Sequence, residues 1–173
     1  MADQPIKYYW DACLWIDLIN RENQDRVDRC LHVINLVGNK NAELYTSAFT
    51  LAEVYKVKCH GDRVQLPENK DQDFEDYLRN NVEVLQVTQN VGMVARRLLR
   101  EYPKLKKPQD AVHVASCLVY DVDVLHTFDS NHLTRFDDHL ICFNGKRLSI
   151  CEPPQLPNPK DLFDIQGTSP KFD

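Results

Sequence analysis

The sequence predicts an α/β fold with a parallel sheet flanked by helices. Three observations carry that expectation. Short runs of β-branched and aromatic residues alternate with stretches of helical spacing. Asp11 and Asp129 each directly follow a strand-like apolar run, whereas Glu53 and Asp110 lie in helical patterns. In a parallel α/β sheet the strand C-termini and the helix N-termini beside them share one edge, where ligands bind.

The first element is a buried strand over 6–10, Ile6–Lys7–Tyr8–Tyr9–Trp10. Asp11 ends it, and Leu14, Trp15, Leu18 and Ile19 then follow helical spacing over 12–19. A second amphipathic helix spans 26–37, with Val27, Cys30, Leu31, Ile34 and Val37 on one face and Gly38 as its stop. Residues 43–46 read as a strand. Residues 47–58 read as a helix with Leu51, Ala52, Val54 and Tyr55 inward. The stretch 60–70, with Gly61 and Pro67, reads as a loop, followed by a helix over 71–80 and a strand over 82–87.

Residues 91–100 form the next helical pattern, broken by Tyr102–Pro103 and the lysines after it. A helix then starts at Pro108, where proline is tolerated, and runs to about Tyr120. Its positions Ala111, Val114, Ala115 and Leu118 form one apolar stripe. Residues 122–127 give a fourth strand and 131–136 a short helical turn. A fifth strand lies over 148–151, with a possible antiparallel partner in 140–143 through the Asn144–Gly145 turn.

The chain has 173 residues, 43% of them hydrophobic, which suits one domain over 1–152. Residues 153–173 contain five prolines and little periodicity, and they read as an extended or disordered tail. No apolar run approaches the roughly 20 residues of a membrane helix. Asp3 and Gln4 stand where a secretory leader is basic, so a cytoplasmic location is expected. The six cysteines lack CxxC or finger spacing and read as small core residues. A net charge of −5 argues against a protein that coats nucleic acid through a basic field, though an acidic metal cluster would itself account for several negative charges.

Each of the four acids has a structural reading. Asp11 can cap the first helix, and Glu53 stands three residues after Thr50 as in a capping box. Asp110 lies in a first turn, where it complements the helix dipole, and Asp129 can cap the turn after it. Two details favour a shared site. Glu53 sits within an apolar helical stretch, which is costly for an unpaired charge. Asp11 and Asp129 would sit at neighbouring strand ends if their strands adjoin. Carboxylates gathered at one edge call for a divalent cation, and metal-assisted phosphodiester hydrolysis is the chemistry such a cluster serves.

Other chemistries lack their residues. There is no Gly-x-Ser-x-Gly elbow and no phosphate-binding glycine loop. An aspartyl phosphatase built on Asp11 would want an acid where Cys13 stands. His113, three residues after Asp110, could touch it but reads better as a core-edge histidine, and His126 reads as packed. Ser47, Ser130 and Asn131 could donate to a carboxylate or to a metal-bound water. Lys104, Lys106 and Lys107, with Lys56 and Lys58, are candidate phosphate contacts, equally well explained as solvated surface.

The segments Tyr8–Tyr9–Trp10–Asp11–Ala12–Cys13, Thr46–Ser47–Ala48–Phe49–Thr50–Leu51–Ala52–Glu53–Val54, Pro108–Gln109–Asp110–Ala111–Val112–His113–Val114–Ala115 and Val124–Leu125–His126–Thr127–Phe128–Asp129 resemble the PIN-domain nucleases, and among them the VapC-type toxins. The resemblance spans about 6–152. It implies a five-stranded parallel sheet and a Mg²⁺ or Mn²⁺ site built from Asp11, Asp110 and Asp129, with Glu53 as ligand or water-positioner. It further implies single-strand RNA cleavage, a homodimer and a small antitoxin partner. The stretch 60–81 is longer than in compact toxins, and the tail is an addition. A PIN-like scaffold without catalysis and a metal-dependent nuclease of DNA are the alternatives.

Overall fold

The computed structural model describes residues 4–59, 62–129, 133–134 and 139–156. Seven strands and six helices are defined among them: β1 (Ile6–Trp10), α1 (Ala12–Asn20), α2 (Gln24–Gly38), β2 (Ala42–Ser47), α3 (Ala48–Glu53), β3 (Lys56–Cys59), β4 (Asp62–Gln65), α4 (Glu68–Asn81), β5 (Glu83–Leu85), α5 (Gln89–Glu101), α6 (Pro108–Val119), β6 (Val124–His126) and β7 (Ser149–Cys151). Five strands form one parallel sheet in the order β5-β2-β1-β6-β7, and β3 and β4 form a separate antiparallel hairpin.

The central strand β1 explains the layering. Successive side chains of a strand point to opposite faces, so the fully buried Tyr9 and Trp10 enter different cores. Tyr9 joins the core under α5 and α6, with Val91, Leu98, Val114, Leu118, Leu125 and Ile150. Trp10 joins Leu14, Trp15, Val33, Leu44, Phe74 and Leu78 under α1, α2 and α4. A parallel sheet covered on both faces needs near-continuous apolar strands, and β1 and β6 supply them. Of the predicted α6 stripe, Ala111, Val114 and Ala115 are fully buried and Leu118 nearly so.

β1 pairs directly with β6, Trp10 opposite His126. The strand ends that carry Asp11 and lead to Asp129 therefore do adjoin, as the shared-site reading required. The Asn144–Gly145 turn also forms. Gly145 adopts φ 85, open to glycine, and Ile141 bridges Arg147 antiparallel across it. β7 itself pairs parallel with β6.

Three expectations are corrected. The helix expected over 47–58 ends at Glu53, and Lys56–Val57–Lys58 pairs with 63–65 as a hairpin instead. The period-2 alternation of Lys56, Val57 and Lys58 was the local sign of it. Accordingly Leu51 and Tyr55 are exposed, and of the expected inward set only Val54 is buried. In α2 the inward residue is Val33 rather than Leu31, which is exposed, and Gly38 lies inside the helix rather than stopping it. The loop expected over 60–70 instead carries β4 and the start of α4. Of the turn expected over 131–136, only 133–134 are described. In the tail, Arg29 pins its start, donating to the Pro153 carbonyl at 2.7 Å and pairing with Glu152 at 2.8 Å. The tail beyond 156 lies outside the described residues. No described helix is long and apolar enough to cross a membrane.

Candidate active site

Asp11, Glu53 and Asp129 line one cleft of about 620 Å³, together with Cys13, Lys107, His113 and the start of the hairpin. Asp110 joins it through Lys107, whose ammonium lies 3.3 Å from Asp129 Oδ2 and 3.9 Å from Asp110 Oδ2. β1 delivers Asp11, the chain after β6 delivers Asp129, the last turn of α3 delivers Glu53, and the first turn of α6 delivers Asp110.

Asp11 is both a cap and a cleft residue. The Cys13 backbone N–H donates to its Oδ1 at 3.0 Å, capping α1, and the Cys13 thiol donates to the same atom at 2.7 Å. Capping α1 therefore does not withdraw Asp11 from the cleft. Burial pushes the Asp11 carboxyl above its usual range, partly offset by His113 and by these donors. Asp110 is raised for the same first reason, with Lys107 opposing the shift. Two carboxyls raised by burial beside one cleft mark a candidate functional site.

Glu53 is no capping-box partner of Thr50. That threonine is buried at the other end of its own short bond, hydrogen-bonded to Thr46 at 2.9 Å, and the helix is capped at Ser47 without a side-chain bond. Glu53 Oε2 instead accepts from His113 Nε2 at 2.7 Å. His113 Nδ1 is 2.7 Å from the Tyr9 hydroxyl, which lies 2.9 Å from Ser47 Oγ. His113 therefore touches Glu53 rather than Asp110, and Ser47 reaches the acid only through Tyr9 and the imidazole.

Two further contributors escaped the sequence reading as site residues. Cys13 accepts from the Phe128 backbone N–H at 3.2 Å while its thiol donates to Asp11, so it ties the β6 exit to the β1 exit. Burial, then the Asp11 charge, pushes that thiol well up, which keeps it protonated as a donor. Thr127 Oγ1 accepts from the Asp129 backbone N–H at 3.0 Å and shapes the approach to that acid. Hydroxyl and thiol positions of this kind have no periodicity to betray them. Arg63 and Tyr55 also line the cleft.

Among the basic candidates, Lys107 is in the acid cluster and Lys56 lines the cleft, whereas Lys104 and Lys106 are exposed outside its lining. The side chain of Lys58 lies outside the described residues, as do Ser130 and Asn131. His126 is packed as expected. It stacks on Tyr8 at 4.6 Å between ring centroids, and its Nδ1 accepts from Trp10 Nε1 at 3.2 Å.

The residues present fit a divalent cation. Asp110 Oδ2 is buried without a hydrogen-bond donor, and an ammonium already bridges Asp110 and Asp129. Among the described residues no three His, Cys, Asp or Glu side chains close into a ready-made cage. Such a cage suits zinc or calcium. Mg²⁺ keeps several waters and takes one or two carboxylates.

The PIN domain family model matches residues 8–138 of the chain. Among solved structures, VapBC2 of Rickettsia felis bound to a promoter DNA fragment superposes with a TM-score of 0.54 at 12% identity, covering 83% of this chain and 97% of that one. A sarcin–ricin loop-cleaving VapC toxin of Mycobacterium tuberculosis has the same TM-score at 18% identity, over 72% of this chain and 91% of the other. DNA-bound VapBC of Salmonella typhimurium matches at TM-score 0.54 and 15% identity, over 84% and 98%. At these identities the likeness is one of fold. No curated protein matches the chain.

Proposed function

The chain belongs to the PIN-domain family, and from that premise we propose that it is a divalent-metal-dependent endoribonuclease, the toxin of a toxin–antitoxin pair. One observation carries the reading. The Lys107 ammonium stands between two acids, one of which has a buried oxygen without a donor, so the cleft is built to hold positive charge. Asp11, Asp110 and Asp129 would hold Mg²⁺ or Mn²⁺, one or two of them directly and the remainder through the ion's waters. When bound, the ion supplies an activated water and neutralises charge on the scissile phosphate.

The chain's own residues have separable tasks. Cys13 fixes the Asp11 carboxylate through two donors to one oxygen, and Thr127 adds a further side-chain hydrogen bond to the same carboxylate. His113 and Tyr9 hold Glu53, which in this reading positions the attacking water. Lys107, released from its acid partners, meets the phosphate, with Lys56, Lys104 and Lys106 as outer contacts and Lys58 as a further candidate. RNA as substrate is supported by the loop-cleaving relative of Mycobacterium tuberculosis. A small antitoxin partner is supported by the VapBC structures among the similar folds. A homodimer completes the proposal.

The test is cleavage of a panel of transfer RNA, ribosomal RNA fragments and single-stranded DNA, with Mg²⁺, Mn²⁺ or EDTA, by the parent and by Asp11→Asn. Metal-dependent RNA cutting that vanishes in the variant is the expected result. Equal cutting by Asp11→Asn would remove the site assignment. Cutting of DNA alone would make the chain a DNA nuclease, and binding without cutting would make it a scaffold.

A further inference from the structure

The β3–β4 hairpin stands where the sequence promised a longer helix, and neither the fold nor the acid cluster accounts for its outer face. Val57 and Leu66 are buried, and β3 packs against α1, which fastens the ribbon to the body. Lys56 and Arg63 are exposed and line the same cleft as Asp11, Glu53 and Asp129. In the hairpin register Lys56 pairs with Gln65, and Lys58 with Arg63. Side chains of one strand alternate between faces, so Lys56 and Arg63 share a face. No carboxylate pairs with either among the described residues. Like charges gathered on one face of a ribbon repel, and they are placed beside an acidic cleft without being neutralised by it.

Tyr55 completes the arrangement. It lies at the root of the hairpin, 56% exposed, and its ring carries the Lys56 ammonium 4.9 Å from the centroid. An exposed aromatic ring beside cations without a carboxylate partner is the combination that holds single-stranded nucleic acid: rings stack bases, and cations track the backbone. Here both open onto the cleft with the acids.

We propose that this hairpin is a strand-holding arm for single-stranded RNA, with Tyr55 stacking one base and Lys56 and Arg63 contacting the phosphates beside it. The inference rests on the endoribonuclease reading and deepens it. The acids repel the substrate's backbone, and the hairpin's Lys56 and Arg63 add to Lys107 in drawing a strand to them. A single strand is required, because a paired base has no free face to offer Tyr55.

The test uses the Asp11→Asn protein and a fluorescein-labelled mixed-sequence 12-mer oligoribonucleotide, read by anisotropy across a salt series. Adding Tyr55→Ala is expected to weaken binding by about fivefold to a hundredfold, whereas Tyr55→Phe holds it. Lys56→Ala with Arg63→Ala is expected to weaken binding and flatten the log–log salt slope by about 1.4. With Asp11 intact, the same changes raise KM and leave kcat at saturating RNA in place. Binding by Tyr55→Ala and by the double variant equal to the parent's, with thermal melts unchanged, overturns the arm while leaving the nuclease reading standing. A parent that neither binds nor cuts RNA overturns both.

Discussion

Lys107→Met tests the electrostatic logic of the cleft without touching an acid. The Lys107 side chain is 49% exposed, and its two carboxylate contacts lie at 3.3 and 3.9 Å. Solvent screening limits such pairs to about 0.2–1 kcal/mol each. The Asp110 side chain, only 13% exposed, has the most to lose, so about 1 kcal/mol of metal-free stability should disappear. In a protein of this size that is roughly 2–4 °C in Tm.

A bound divalent ion would have to displace the ammonium, so the same quantity enters metal affinity with the opposite sign. Removing Lys107 should tighten Mn²⁺ binding about fivefold, the equivalent of ~1 kcal/mol. At saturating metal the parent and the variant should then be equally stable, because both have lost the ion pairs. Urea titrations in EDTA and in saturating Mg²⁺, with calorimetry of Mn²⁺ binding, close this cycle. Unchanged Mn²⁺ affinity together with an unchanged midpoint in EDTA would refute the reasoning. So would a stability loss that persists undiminished in Mg²⁺.

Two further outcomes follow from the buried histidines. His113→Leu removes both the Glu53 and the Tyr9 hydrogen bonds of a buried imidazole, and should cost about 1–3 kcal/mol in urea unfolding. In cleavage assays it should lower kcat with little change in KM, since it frees Glu53 rather than the RNA; a change in KM alone would contradict the positioning role. His126 is the acid-sensitive group. Burial, then Arg29, drives it down to about 3 from 6.5, and the Trp10 Nε1 donor requires its Nδ1 unprotonated. As pH falls from 6.5 toward 3, the unfolded chain binds a proton that the folded chain refuses, so stability is lost across that window, about 2 kcal/mol by pH 5. Asp11 and Asp110 act in the opposite sense: their raised carboxyls cost stability once ionised, and that cost is relieved as pH falls through their folded pKa values. The measurement is therefore the difference between parent and His126→Gln at pH 7.5 and pH 5, and a difference that does not change with pH would refute it.

The sequence by itself determined the sheet, the order of its helices and the edge where the acids meet. Burial imposes a period, and the period is written locally. Tyr9 and Trp10 alternate between two cores, and the α6 stripe from Ala111 to Leu118 repeats every turn. Asp11 and Asp129 stand where such runs end, and the pairing of β1 with β6 makes those ends neighbours. Periodicity names a face but never the partner across it. Only the tertiary structure decided that His113, on the core-edge side of α6, meets Glu53 rather than Asp110. It also decided that Lys107, one of three lysines within four residues, alone turns into the acids, and that the Cys13 thiol joins Asp11 to the chain leaving β6. The hairpin failed to show for a related reason. The alternation of Lys56, Val57 and Lys58 spans only three residues, too few to outweigh the helical pattern before it, and the antiparallel register of 56–59 with 62–65 is settled by pairing, which no local window contains.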